Sequence, residues 1–247
     1  MAYNIIVNQL PTLFYALIGG VVPALFWLYF WLKEDSNPEP LSLILKTFLA
    51  GSAMVILVIP FQKIVNDIYP GMGPRAFILW ATLEEGFKFA AAYFIAIRSL
   101  DDDEPVDPMI YMIVCALGFV ALENTLFIIS PLLQKDLING ILTGNLRFIG
   151  ASLLHIVSSS IIGTAIALNY YKPKAERYIW TLFAFILAVA FHSIFNLFII
   201  NQDNFGTFLT FGMVWSGVAI LLLMFEKIKR IKLEKVINRV STTYDLS

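Results

Sequence analysis

Seven stretches of the chain are long and apolar enough to cross a bilayer: Pro11–Leu32, Leu41–Ile59, Ala76–Ile97, Met109–Ser130, Arg147–Tyr171, Arg177–Ile200 and Phe205–Phe225. A helix needs about 20 mostly apolar residues to cross the hydrocarbon. The runs lack period-two alternation and are too long for strands. The expected fold is therefore all-α: a polytopic membrane helix bundle of about seven transmembrane helices. Residues 1–225 form one bundle, and 226–247 form a basic tail.

Composition closes off the other classes. Hydrophobic residues make up 59% of the 247 and charged residues 14%, too greasy for a surface that faces water all round. Disorder needs the opposite balance. A net charge of −1 gives no basic surface for nucleic acid. The single cysteine, Cys115, excludes a disulfide scaffold and reads as inert core. Met1–Leu10 carries no Lys or Arg, so the first run is expected to stay as a span rather than be cleaved.

Loop charge sets an expected orientation. With seven spans, Lys33, Lys46, Arg98, Lys172, Lys174, Arg177 and six tail residues (Lys227, Lys229, Arg230, Lys232, Lys235, Arg239) fall on one side. Lys63, Arg75, Lys135 and Arg147 fall on the other. Twelve against four places the N-terminus outside and the C-terminus in the cytoplasm. The tail Glu226–Val240 suits either a helix lying on anionic lipid or a plain extension of the last span. The acidic run Asp101–Glu104 reads as a solvated loop.

Ionisable residues inside spans are costly and mark function. Here Glu84, Glu85 and Lys88 lie in the third run, Glu123 in the fourth, His155 in the fifth and His192 in the sixth. Chain direction alternates from run to run. Counted from the outer ends, the carboxylates and imidazoles all fall roughly 10–14 Å deep at 1.5 Å per residue. Ser152, His155 and Ser159 share one helical stripe, and Ala184, Ala188, His192 and Asn196 share another. The small residues allow close helix approach. Each polar group alone has a plain structural reading: a buried ion pair, a core histidine, or asparagines Asn124 and Asn196 as helix–helix glue. Their meeting at one depth points to a shared site.

Two histidines and several carboxylates permit two routes to carbonyl hydrolysis. They can ligate a metal such as zinc with an open position for water. Alternatively, a carboxylate can activate water directly while the histidines and asparagines stabilise the oxyanion. A proton- or metal-coupled transporter would use the same groups, although no internal repeat is visible. A scaffold without turnover is the third class. The HExxH zinc helix is absent.

Four motifs resemble those of the PrsW family of intramembrane proteases, within the wider CAAX-processing and bacteriocin-processing membrane protease group. Glu84-Glu85-Gly86-Phe87-Lys88 resembles an EExxK motif, and Phe119 to Asn124 resembles FxxxEN. Arg147 with His155 resembles the Arg and His of the next helix, and His192 to Asn196 resembles HxxxN. The resemblance covers about residues 76–200, the expected catalytic core. CAAX-processing relatives carry a His where this chain has Glu123, which favours the PrsW branch. The resemblance implies an endopeptidase in a prokaryotic cell membrane that cuts membrane-anchored proteins, with an anti-sigma factor cleaved on its extracytoplasmic side as the associated substrate. The implied catalytic set is Glu84, Glu85, Lys88, Glu123, Asn124, His155, His192 and Asn196. One of Glu84 and Glu85 would activate water while the other pairs with Lys88; the i,i+4 spacing favours Glu84 as the partner of Lys88 and leaves Glu85 freer. Glu123, His155 and His192 are the expected metal ligands if a metal is present, with Asn124 and Asn196 orienting ligands or binding the oxyanion.

Overall fold

A computed structural model describes residues 2–71, 73–200 and 204–244, with side chains placed between residues 10 and 231 except 72, 200–205 and 207. Every regular element among these residues is helical: α1 (Ala2–Lys33), α2 (Leu41–Ile68), α3 (Pro74–Ala92), α4 (Asp107–Leu133), α5 (Leu137–Leu146), α6 (Ser152–Leu168), α7 (Lys174–Ile200) and α8 (Asn204–Tyr244). π-helical turns at Tyr93–Ile97 and Arg147–Ala151 extend α3 and join α5 to α6.

Six helices among the described residues are long and apolar enough to cross a membrane; Leu137–Leu168 counts as one of them. The third expected run also folds as a helix, but Glu84, Glu85 and Lys88 keep it outside that apolar set. Three boundaries differ from the hydropathy reading. α2 runs through Pro60 to Ile68, because a proline inside a packed membrane helix is tolerated when neighbours satisfy the freed backbone group. The fifth helix starts at Leu137, ten residues before Arg147, with the side chain of Asp136 accepting the amide of Asn139 at 3.0 Å as its cap. The tail continues α8 to Tyr244 as a plain extension.

α4 is the axis of the bundle. Its residues from Asp107 to Ala121 are buried, and it packs against α1, α2, α3, α5 and α6. Its contact with α2 is backbone to backbone. A Cβ on Gly51 would lie 2.0 Å from the carbonyl oxygen of Cys115, and one on Gly118 would lie 1.8 Å from that of Phe48. Only glycine fits at either position. Ser52 Oγ donates to the Gly118 carbonyl at 2.7 Å across the same crossing. Close packing of small residues drives helix association in lipid, where apolar burial gives no preference. Cys115 is buried as expected, its thiol donating to the Lys88 carbonyl at 3.3 Å.

Candidate active site

α3 supplies a carboxylate pair that its neighbours treat very differently. Glu85 is saturated: its Oε1 accepts from Lys88 Nζ at 2.6 Å, Ser158 Oγ at 2.8 Å and His192 Nδ1 at 2.8 Å, and its Oε2 accepts from Ser159 Oγ at 2.8 Å. Glu84 is held by one oxygen only. Its Oε1 accepts from Gln62 Nε2 at 2.8 Å, while Oε2 is buried without a hydrogen-bond partner. His192 Nε2 stands 3.5 Å from that free oxygen. The expected pairing of Lys88 with Glu84 is therefore replaced by an i,i+3 pair with Glu85. Both spacings bring helix neighbours together. The choice falls to Glu85 because α6 and α7 converge on it with three further donors, whereas Glu84 faces α2.

Both imidazoles are held from behind. His192 donates from Nδ1 to Glu85, which turns Nε2 toward Glu84. Such a carboxylate–histidine contact fixes ring orientation and raises the basicity of the outer nitrogen. His155 Nδ1 lies 2.8 Å from Lys88 Nζ, and its Nε2 lies 3.2 Å from Glu123 Oε2. The two rings meet edge to face at 5.0 Å. Phe119 backs His155, and the ammonium of Lys88 sits 5.1 Å above the Phe119 ring. Among the described residues of this cluster, Glu84 Oε2 is the buried side-chain oxygen left without a hydrogen-bond partner.

Glu123 is bound through Oε2 by Arg147 as well as His155. Arg147 stands at the π-helical turn between α5 and α6, also donates from Nε to Asn124 Oδ1 at 2.5 Å, and stacks 3.9 Å over Phe127. Asn124 completes the chain by donating to Ser152 Oγ at 3.2 Å. Both ends of Asn124 are committed, so it positions Arg147 and does not face the cavity. Asn196, half-buried, does line it.

Glu84, Glu123, His155, His192 and Asn196 share a cavity of about 400 Å³, walled by apolar residues of α2, α4, α7 and α8 such as Val58, Leu126, Phe195 and Phe211. Glu85 and Lys88 lie behind this wall. Donor atoms of Glu84, His155 and His192 all fall within 4.8 Å of one another. One carboxylate and two imidazoles form a donor set that suits a borderline ion such as zinc, and an unpartnered buried carboxylate oxygen is the kind of atom a cation would satisfy. The residues fit a metal. Glu123, expected as a ligand, stands outside this triplet with its Oε2 held by Arg147, and Glu84 stands within it. Gln62 and Ser158 escaped the sequence reading. Gln62 is an amide three residues past the end of the apolar run at Ile59, and Ser158 sits one residue off the Ser152–His155–Ser159 stripe.

Carboxylate and imidazole groups gathered in a cavity among membrane helices are the equipment of a membrane-embedded hydrolase. The chain belongs to the PrsW family of intramembrane metalloproteases, which it matches over residues 39–225. It is 28% identical over 227 residues to Protease PrsW of Geobacillus kaustophilus (strain HTA426), covering 90% of this chain and 93% of the relative. It is 28% identical over 230 residues to Protease PrsW of Oceanobacillus iheyensis, covering 90% and 98%. Against Protease PrsW of Bacillus subtilis (strain 168) it is 22% identical over 212 residues, covering 83% and 94%. No solved structure matches the chain. The protein is an integral membrane peptidase, and these relatives are bacterial.

Proposed function

We propose that this protein is a zinc-dependent intramembrane endopeptidase that cuts a single-span, membrane-anchored protein, an anti-sigma factor, on its extracytoplasmic side. The orientation follows from loop charge. The arginine- and lysine-rich loops and tail lie at the end of the bundle away from the cavity, so the cavity opens toward the outer leaflet. Its apolar walls suit an unwound stretch of substrate backbone that keeps its side chains out of water.

Glu84, His155 and His192 would hold the ion. When bound there it supplies Lewis acidity, polarising the scissile carbonyl and making a water easier to deprotonate. The chain's own groups do the rest. Glu85 and Lys88 fix the two imidazoles, and His155 would give up its Nε2 proton toward Glu123 on binding the ion. Glu123, tied through one oxygen to Arg147, turns its other toward the reaction as the proton acceptor and later the donor to the leaving amine. Asn196 is placed to donate to the oxyanion. The observation that carries this reading is the buried, unpartnered Glu84 Oε2 beside two imidazoles.

The test is a metal and turnover analysis of purified protein with a single-span substrate in detergent. Glu84→Gln is expected to lose both bound zinc and cleavage, and Glu123→Gln to keep zinc while losing cleavage. Retention of full zinc occupancy by Glu84→Gln would sink the ligand assignment. The same unpartnered oxygen supports a second reading, in which Glu84 activates water without a metal; metal-free protein that cleaves at the wild-type rate decides for it.

A further inference from the structure

A second cavity, about 270 Å³, lies at the opposite end of the bundle from the active site. α3 runs from the active-site cavity to it, ending in the π-helical turn with Tyr93 and Ile97, and α7 starts from it and runs to His192. Arg98, Lys174 and Arg177 line it, with Asp102 as the one acid on its wall. No carboxylate lies within ion-pair distance of these three cations among the described residues. Arg98 is held over the rings of Tyr93 and Phe94 at 5.8 and 5.9 Å. Three cations against one carboxylate leave the lining net positive, while Glu176 in the first turn of α7 is drawn to Lys172 at 3.8 Å instead.

The surroundings say what kind of anion fits. The floor is apolar, with Ile97 and Ile166. Phe94, Ile179 and Phe183 expose most of their side chains just outside, on the flank of the bundle. Tyr178 and Trp180 stand at the same level, where aromatic side chains mark the membrane–water boundary. A basic pocket at that boundary, opening onto an apolar flank, is built for a phosphate with acyl chains attached.

We propose that this pocket holds the phosphate group of an anionic phospholipid, its chains lying along α3 and α7. The lipid would clamp together the two helices that carry Glu84, Glu85 and His192, from the end remote from the chemistry. The chemistry recognised, a phosphate anion, is common to a lipid headgroup and to free phosphate, so the experiment separates the two.

Delipidated full-length protein in neutral detergent is titrated with dioleoylphosphatidylglycerol, dioleoylphosphatidylcholine or inorganic phosphate, read by native mass spectrometry and thermal melting. Phosphatidylglycerol is expected to bind at one preferred site and raise the melting temperature; phosphatidylcholine is not. Arg98→Gln/Lys174→Gln/Arg177→Gln should weaken that site on the order of a hundredfold, and Lys174→Gln alone roughly fivefold. Lys174 is exposed, so the single variant keeps the test open if the triple variant does not fold. Unchanged phosphatidylglycerol binding in Lys174→Gln overturns the proposal. Equal stabilisation by millimolar inorganic phosphate, with no gain from phosphatidylglycerol, overturns the lipid assignment in favour of a soluble anion.

Discussion

The protein carries two gatherings of acid, and it handles them in opposite ways. In the active site, Glu84, Glu85 and Glu123 face Lys88, Arg147 and two imidazoles, and every carboxylate oxygen that is buried has a donor except one. At the other end, Glu39, Asp102 and Asp107 crowd the loop region without a Lys or Arg in ion-pair contact among the described residues. There Glu39 accepts the Tyr111 hydroxyl, and Asp107 Oδ2 accepts the amides of Asp103 and Glu104. Burial pushes the Asp102 carboxyl up to about 7, although Arg177 attracts its charged form, and burial likewise raises Glu39. Deep in hydrocarbon, charge is balanced by counter-charge; near water, it is relieved by taking up protons. The single oxygen that breaks the first pattern is therefore the informative one.

That contrast can be broken most sharply at Glu84. Glu84→Gln should cut turnover on the order of 10⁴-fold, the scale of losing one member of a catalytic unit. Compared metal-free, its melting temperature should stay level or rise, because no Lys or Arg partner is stranded. A fall in stability together with activity would make Glu84 one more structural acid. Lys88→Met should do the converse. It strands the Glu85 charge in the core, costing about 3–5 kcal/mol in denaturant titration, and adding Glu85→Gln should return much of the loss. Arg147→Gln should destabilise less, because Arg147 and Glu123 each keep 16% of their side-chain surface exposed; equal losses at Lys88 and Arg147 would count against burial as the deciding factor.

The smallest effect belongs to the loop. Asp102 has a folded pKa of about 7 against an ordinary 3.8. The folded state therefore binds more protons than the unfolded state between these values. Its contribution to stability is fully present below about pH 4 and is lost as pH rises through 7. Melting temperature measured from pH 5 to 8 should fall by more in the wild type than in Asp102→Asn. Parallel curves would show that Asp102 titrates as it does in water.

Much of this was legible in the sequence, because membrane helices announce themselves by length and hydropathy, and buried ionisable residues by their cost. The convergence of Glu84, Glu123, His155 and His192 could be read from depth counting, since a straight helix converts residue number into height. Which groups touch could not. Depth counting says nothing of rotation about the helix axis to within the 100° that separates Glu84 from Glu85, and that angle decides which one meets Lys88. The break in helix period at Arg147–Ala151 was equally invisible, because a π-helical turn shifts the register of side chains without changing their composition. Gln62 lies beyond the apolar run that stops at Ile59, on the part of α2 that hydropathy does not mark.

The crossing of α2 and α4 at Gly51 and Gly118 lies a little over one turn beneath Val55 on α2 and Glu123 on α4. Two peptide backbones in direct contact leave no slack there: the distance between these helices is set by main-chain atoms, not by side chains that can swap rotamers. The chamber above it consequently has a fixed gauge on that side. Any widening needed to admit a polypeptide must come from walls that do not rest on this crossing, such as those carrying Phe195 of α7 and Phe211 of α8.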